Sequence, residues 1–568
     1  MKTTILVLLI LSLCSFADTI MERIENDLSL TADQKALYLV YSVFDTDKLP
    51  VAYTIDTDPV RSGSPALHEA LLMQDELSQA TLNQVLGRGR PALSGSPQNF
   101  VSPDGHFRIH YTTSGTDASS LTYANDIAEY MDYSWQTECV TMGYFTPPPD
   151  NGFGGDNLYD VYVMNTGGGV CGYCSSGGEY KPADSTHASS ASYIAISNTQ
   201  GENLNKVTAA HEFQHAIQNA YDWQEPTWFM ENCAVWMEDM VYDNVNDWTG
   251  YYGGGAMRKP WMGIDGGNPY WYGGMFWPRM MGLMFEENAV RKVWEYCAAG
   301  AGPNMFEAQD DMFESYGSSF ENGFMEYGAW RFFVGSFYHA NFNLFDDELA
   351  SVSNAIILPW NIVSSLPDSG DYGPDYPAYH METLGITWIK VDLSAYQGGW
   401  VEFDFDGRDN FDWNLGAIIF NDDGFEFNWY ACDPTSGEKT VAVPTEGYDF
   451  AIFFPAFMAE TSFTAEFEYD ITYSTGIEEG EIFTSTNLNV ESNPMEIGSA
   501  ISFNITSQGY ADLSIIDMAG RRVSTLFTGQ TDAGLHSFEY NGELTTGTYF
   551  VVLRHGNSVE TARVAVIR

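Results

Sequence analysis

Asn205-Lys-Val-Thr-Ala-Ala-His211-Glu212-Phe213-Gln214-His215 is the stretch from which the rest of the chain is read. Its alanines, Lys, Glu and Gln favour a helix. Four residues on a helix is about 400° of rotation, so His211 and His215 project from one face a turn apart. Two imidazoles at that spacing can both ligate one tetrahedral zinc ion. Glu212 points about 100° away and reaches a water beside the metal rather than the metal, which suits a general base.

A hydrolytic zinc site needs a third protein ligand and an open fourth position. The metzincin pattern would place Gly at 218 and His at 221, where this chain has Gln218 and Tyr221. No histidine occurs between His215 and His339, so a nearby third ligand must be a carboxylate. Trp228-Phe-Met-Glu231-Asn-Cys-Ala234-Val-Trp-Met-Glu238-Asp239 offers one on a second helical segment. Fifteen residues separate His215 from Glu231, enough for a turn and an antiparallel return. Glu225, Glu238 and Asp239 are the rivals, each more at home on a solvated helix face or behind a ligand.

Upstream, Phe107, Ile109 and Tyr111 alternate as a strand does, and Ala124, Ile127, Ala128, Met131 and Trp135 recur at helical spacing. Asp160–Asn165 and Ser192–Ser197 read as strands flanking a Gly/Cys/Ser loop, and helical patterns dominate from Leu204 to about His339. That block, residues 99–360, is expected to be an α+β catalytic domain. Residues 18–98 are polar, helix-leaning and punctuated by Pro50, Pro59, Pro65 and Pro91; they read as a propeptide or an N-terminal subdomain. They end in Arg88-Gly-Arg-Pro91, which looks like an accessible basic site.

Downstream, the period falls to two. Val401, Phe403 and Phe405 alternate with Glu402, Asp404 and Asp406, and Phe463–Tyr473 repeats the pattern. Residues 375–475 are therefore expected to form an antiparallel β-sandwich. Residues 488–568 form a last β domain, with a hairpin Leu513–Leu526 turning at Met518-Ala-Gly-Arg521. Turn-forming, acidic linkers near 358–377 and 475–491 are expected to separate these parts and to be the first places nicked by a protease.

A chain of 568 residues suits about three to four folded units. With 44% apolar and 15% aromatic residues it has material for several cores, which excludes a mainly disordered chain. Against 77 Asp and Glu stand 24 Lys and Arg, a formal net charge of −53. Such a molecule repels phosphate backbones, so nucleic-acid binding is excluded as a main function. Met1–Ala17 reads as a signal peptide, with Lys2, the apolar run Ile5–Leu13 and Ser15-Phe-Ala17 as its cleavage site. A secreted or cell-surface protein without a transmembrane segment is expected. Cys139, Cys171, Cys174, Cys233, Cys297 and Cys432 then remain, an even number that suggests disulfides, with Cys171-Gly-Tyr-Cys174 a loop staple.

His-Glu-x-x-His followed by Trp228-x-x-Glu231-x-x-Ala234 is similar to the zinc signature of gluzincin peptidases, aminopeptidases among them. Residues from about 20 to 475 resemble a family of secreted bacterial metalloproteases that carry His-Glu-Phe-x-His, then Trp-x-Met-Glu-x-x-Ala-x-Trp-Met-Glu-Asp. The resemblance implies a zincin-like fold, zinc at His211, His215 and Glu231, and Glu212 as base. Thermolysin-type enzymes carry an Asp four residues after the ligand Glu; Val235 stands there, so Glu238 and Asp239 are the candidates to orient a zinc histidine. Pro269-Tyr270-Trp-Tyr272-Gly273 resembles the Tyr-x-x-Gly of the aminopeptidases, whose tyrosine steadies the oxyanion. Tyr270 is its counterpart and Tyr272 the next candidate.

Asn493-Pro, Asp517-Met-Ala-Gly-Arg-Arg522, Ala533-Gly-Leu-His536 and Gly547-Thr-Tyr-Phe-Val-Val-Leu553 resemble the Ig-like C-terminal sorting domain of the type IX secretion pathway. That likeness implies the secretion machinery as a partner. Asp404–Asp409 and Asn421–Gly424 are candidate calcium loops, but neither continues to a bidentate Glu at EF-hand spacing, and acidic β-turns are the preferred reading. His187 and His339 default to structural roles. The whole reads as a secreted zinc metallopeptidase acting on protein or peptide substrates. The alternative is a surface adhesion or carbohydrate-binding protein with a vestigial zinc site.

Overall fold

Apolar side chains at every second position from Phe107 to Tyr111, each buried, make the first clear strand. The computed structural model describes residues 19–567 except 56, 58–60, 88, 168, 177–187, 268, 286–287, 301, 334–360, 373–380, 422–423, 460–463, 477–480, 484–487, 506, 519 and 543. The signal-peptide reading, Arg88, His187 and His339 lie outside the described residues.

The chain divides into two units, and the division passes through one continuous helix, between Glu212 and Phe213. The first unit begins with four helices: α1 (Ile20–Glu25), α2 (Ala32–Phe44), α3 (Ser64–Leu72) and α4 (Gln79–Leu86). Thr19 and Thr31 start α1 and α2 with reciprocal capping boxes to Glu22 and Gln34, which satisfy end N–H groups the helix cannot. Met21, Ile24, Ala36, Leu39, Val40, Val43, Ala66 and Leu71 are buried among these helices.

A five-stranded sheet follows, built from β1 (Pro97–Val101), β2 (Phe107–Thr112), β3 (Tyr159–Met164), β4 (Gly172–Ser175) and β5 (Tyr193–Ser197). Its order is β1-β2-β3-β5-β4, with β2, β3 and β5 mutually parallel and β1 and β4 antiparallel to their neighbours. Between β2 and β3 runs α5 (Leu121–Trp135), which buries Ala124, Ile127, Ala128 and Met131 along one stripe. After β5 comes α6 (Glu202–Tyr221), the helix of the His-Glu-x-x-His motif.

The second unit continues with α7 (Thr227–Val241), α8 (Phe276–Met284), α9 (Ala289–Ala299), α10 (Met305–Ser315) and α11 (Phe320–Phe332). The strands that follow are β6 (Asn361–Val363), β7 (Asp368–Tyr372), β8 (Met381–Glu382), β9 (Ile389–Asp392), β10 (Trp400–Gly407), β11 (Trp413–Asn421), β12 (Gly424–Ala431), β13 (Glu438–Pro444), β14 (Phe450–Phe457), β15 (Thr464–Ala465), β16 (Phe467–Ser474) and β17 (Glu481–Ile482). The last seven are β18 (Asn489–Val490), β19 (Ala500–Ile505), β20 (Gly509–Ile516), β21 (Arg522–Thr531), β22 (Gly534–Glu539), β23 (Gly547–His555) and β24 (Ser558–Val566). The molecule is thus an α-helical region with a small sheet, followed by many β-strands.

A sheet β17-β13-β10-β16-β7 and a second sheet containing β12-β11-β14-β9-β6 share the core of Phe403, Phe405, Trp413, Phe453, Phe457 and Phe467. Three expectations change here. The acidic linkers contain paired strands: β6 and β7 lie within 358–377 and join β9 and β16, while β17 pairs β13. Backbone pairing satisfies N–H and C=O groups whatever the side chains, so composition alone misjudged them. Asp404 and Asp406 sit in β10 and Asp409 in the turn after it, so the first calcium-loop candidate is strand in its first half and turn in its second.

The third change concerns the last β region. One of its sheets is its own, β18-β19-β22, but its other strands are shared: β12 pairs β24, making one nine-stranded sheet, β21-β20-β23-β24-β12-β11-β14-β9-β6. It still keeps its own core around Ile501, Phe503, Leu513, Val551 and Val564. Among the described residues no helix is long and apolar enough to cross a membrane.

Candidate metal centre

Residues 207–223 of α6 and the turn beyond it are buried without a break. A helix that is buried all round while carrying His211, Glu212, Gln214, His215, Gln218 and Asn219 must satisfy those groups internally. The short connection Asp222–Pro226 then returns the chain into α7, with Pro226 in extended conformation at its N-cap. This return brings Glu231 to the two histidines. His211, His215 and Glu231 each offer one ligand atom, all within 4.8 Å of one another, and all three residues are buried.

The tautomer of His215 follows from its neighbours. Gln218, one turn on, donates from Nε2 to the Met230 carbonyl at 2.9 Å. A carbonyl only accepts, so Oε1 of Gln218 must face Nδ1 of His215, 2.8 Å away. Nδ1 therefore carries the proton, and Nε2 presents its lone pair 3.0 Å from Oε1 of Glu231. Two electron-pair donors that close are stable only with a cation between them, a proton on Nε2 or a metal ion. The donor set of two imidazoles and a carboxylate is that of hydrolytic zinc centres. The residues fit zinc.

Glu212 lies outside this set. Its Oε1 accepts from the Ser62 hydroxyl at 2.9 Å and its Oε2 from the Ser64 hydroxyl at 2.7 Å. Gly172 at the start of β4 passes close to it: a Cβ there would stand 2.8 Å from Thr208 and 3.1 Å from Glu212 Cγ. Only glycine lets the strand approach the helix at that point.

The other candidates are placed elsewhere. The Tyr270 hydroxyl donates to the Met262 carbonyl at 3.2 Å, and burial pushes its pKa well up. Tyr272 stacks on Tyr251. Their segment is tied to α7 beside Glu231, because Asn232 donates from Nδ2 to the Trp271 carbonyl at 2.8 Å. Glu225 accepts from the Asn304 amide at 3.0 Å, and burial raises its pKa to about 7. Asp239 accepts from Trp248 and pairs with Arg279, and the residue that faces Nδ1 of His215 is Gln218. Gln218 was legible as the residue a turn beyond the second ligand. Ser62 and Ser64, about 150 residues before Glu212, carried no local signal.

Two further expectations are corrected. The six cysteines are thiols rather than disulfides. Cys174 lies in β4 and Cys171 just before it; extended chain separates such residues by about 10 Å, beyond disulfide reach. The side chain of Arg90 is not an accessible basic site, because it pairs with Asp150 and Asp160 and lies over the Tyr193 ring.

No family model matches the chain, and no curated protein matches it. Among solved structures, the crystal structure of Spr0440 glycoside hydrolase domain, Endo-D from Streptococcus pneumoniae R6, aligns at 11% identity and a TM-score of 0.12. The alignment covers 35% of this chain and 32% of that one, a likeness too slight to bear on fold or chemistry.

Proposed function

We propose that the protein is a zinc-dependent metallopeptidase of gluzincin type, exported and carrying a C-terminal sorting module. The observation that carries this reading is the buried cluster of His211, His215 and Glu231 with Glu212 adjacent but outside the ligand set. Zinc held by these three residues would polarise a scissile carbonyl and make water a competent nucleophile near neutral pH. Glu212 takes the proton of the attacking water and delivers it to the leaving amine. Gln218 holds His215 in the tautomer that points Nε2 at the centre. The sequence motifs, rather than the fold, support the export and sorting parts of the proposal.

The test separates binding from catalysis. Metal analysis of purified chain should find about one zinc per molecule, lost in His211→Ala and in Glu231→Ala. Glu212→Gln should keep the zinc while peptide hydrolysis falls about 10²–10⁴-fold, the usual worth of general-base assistance. Zinc loss in Glu212→Gln would make Glu212 a ligand and overturn the arrangement. Full hydrolysis with zinc retained would remove it as the base.

A further inference from the structure

The N-terminal helices reach the reaction centre through one short stretch, Arg61-Ser62-Gly63-Ser64. Its two serine hydroxyls take both oxygens of Glu212. Its backbone pairs with the start of β4: Gly63 N–H donates to the Gly172 carbonyl at 2.9 Å, and Ser62 bridges Gly172 in parallel sense. The Cys171 amide donates to the Arg61 carbonyl, and the Cys174 amide donates to the Ser64 hydroxyl at 2.8 Å. Ser62 and Ser64 are buried, and Glu212 is 1% exposed.

We infer that residues 61–64 seal the reaction centre, so that the chain is latent until this stretch is withdrawn from Glu212 and from the edge of β4. A general base must meet the water it deprotonates and the amine it protonates. A carboxylate with a protein hydroxyl on each oxygen and no solvent exposure meets neither. β4 is the last strand of its sheet, so its outer edge is where an extended peptide could add main-chain hydrogen bonds. Residues 61–64 already occupy that edge.

The seal is built to come away as a piece. Helices α1 to α4 bury their own apolar cluster, so they need not unfold to leave. The contact is two hydroxyls, a two-residue pairing and the packing of Phe44 of α2 edge-on against Tyr173 of β4, rather than a continued ladder. Downstream, Gly87 is exposed just after α4, whereas Arg90 is pinned by Asp150 and Asp160. A break between these points would free the helices and leave the pinned end in place.

This inference rests on the metallopeptidase reading, and the experiment tells the two apart. Gly63→Val in the full chain is a wedge, since a Cβ at Gly63 would stand 2.8 Å from Val43 Cγ1 and 3.2 Å from Tyr173 Cβ. A second preparation carries a specific protease site inserted after Gly87 and is nicked after purification. Zinc content, peptide-library hydrolysis and hydrogen exchange at the Cys174 amide are measured on both and on the parent. Faster exchange at Cys174, zinc retained and hydrolysis raised roughly tenfold or more in either preparation is expected. Faster exchange with zinc retained and hydrolysis unchanged or reduced would overturn the seal and make Ser62 and Ser64 part of the working site. Exchange at Cys174 left slow in both preparations while the parent hydrolyses peptides fully would overturn it as well. Absence of zinc from every preparation, the parent included, would instead sink the metallopeptidase reading and the seal with it.

Discussion

At the residue scale, the centre is organised by a relay of hydrogen bonds that starts from a main-chain carbonyl. Met230 O orients the Gln218 amide, the amide sets the proton on His215 Nδ1, and Nε2 is left as an electron-pair donor toward Glu231. Because Met230 directly precedes Glu231, one short segment of α7 supplies both a candidate ligand and the group that sets the tautomer of His215. Gln218→Leu removes the relay at similar volume and should weaken zinc binding about 10–100-fold, the usual cost of losing such support behind a metal ligand. Gln218→Glu keeps an acceptor for Nδ1 but loses the donor to Met230, so it should bind zinc more tightly than the Leu variant. A competition titration with a chelator measures both; equal affinity in parent and Gln218→Leu would show that the relay does not govern binding.

At the scale of elements, α1 brings a pH dependence to the N-terminal helices. Glu25, at its last residue, has its pKa raised from 4.5 to about 8, first by burial and then by the nearby Glu69 of α3 and Glu22. Lys35 of α2 acts the other way without cancelling them. The raised value means that the folded helices hold a proton which the unfolded chain releases near pH 4.5. Their stability is therefore fully present below about pH 4.5 and declines as pH rises through about 8. Amide protection in α1, α2 and α3 should be weaker at pH 9 than at pH 6, and Glu25→Gln should flatten the difference. An unchanged slope in Glu25→Gln would assign the effect to another group. If the seal holds, release of residues 61–64 should follow the same pH trend.

At the scale of the whole second unit, the last β region is tied to the rest by more than chain connectivity. Strand β24 pairs β12 over Asn428↔Ser558, Phe427↔Val559 and Glu426↔Glu560. Nearby, Arg554 of β23 donates to both oxygens of Glu326 on α11, at 2.9 and 3.0 Å, with Asp512 at 3.6 Å. All three side chains are largely buried, so removing the cation leaves Glu326 without its countercharge, while Asp512 keeps Arg522 at 2.7 Å. Arg554→Met should lower unfolding stability by about 3–5 kcal/mol, read from denaturant unfolding. A cost near zero would mean that solvent compensates the acid.

What could be read along the chain was what repeats locally. The turn-apart histidines of α6, the alternation in β2 and β10, and the hairpin β20–β21 are each set by backbone periods of 3.6 and 2.0, which a single segment displays by itself. The strong negative charge was equally plain, because charge adds without regard to fold. Tertiary structure alone decided the rest. Ser62 and Ser64 meet Glu212 only because β4 lets residues 61–64 lie along its edge, and that is a matter of long-range packing. The linkers at 358–377 and 475–491 look unstructured because their side chains are polar, yet strand pairing uses the backbone, which every residue carries alike. Cysteine count could not show thiols held apart by extended chain, and no local pattern in β12 says that β24 will complete its sheet. Spacing along a helix states which side chains share a face; which distant groups come to face them is settled by how the elements pack.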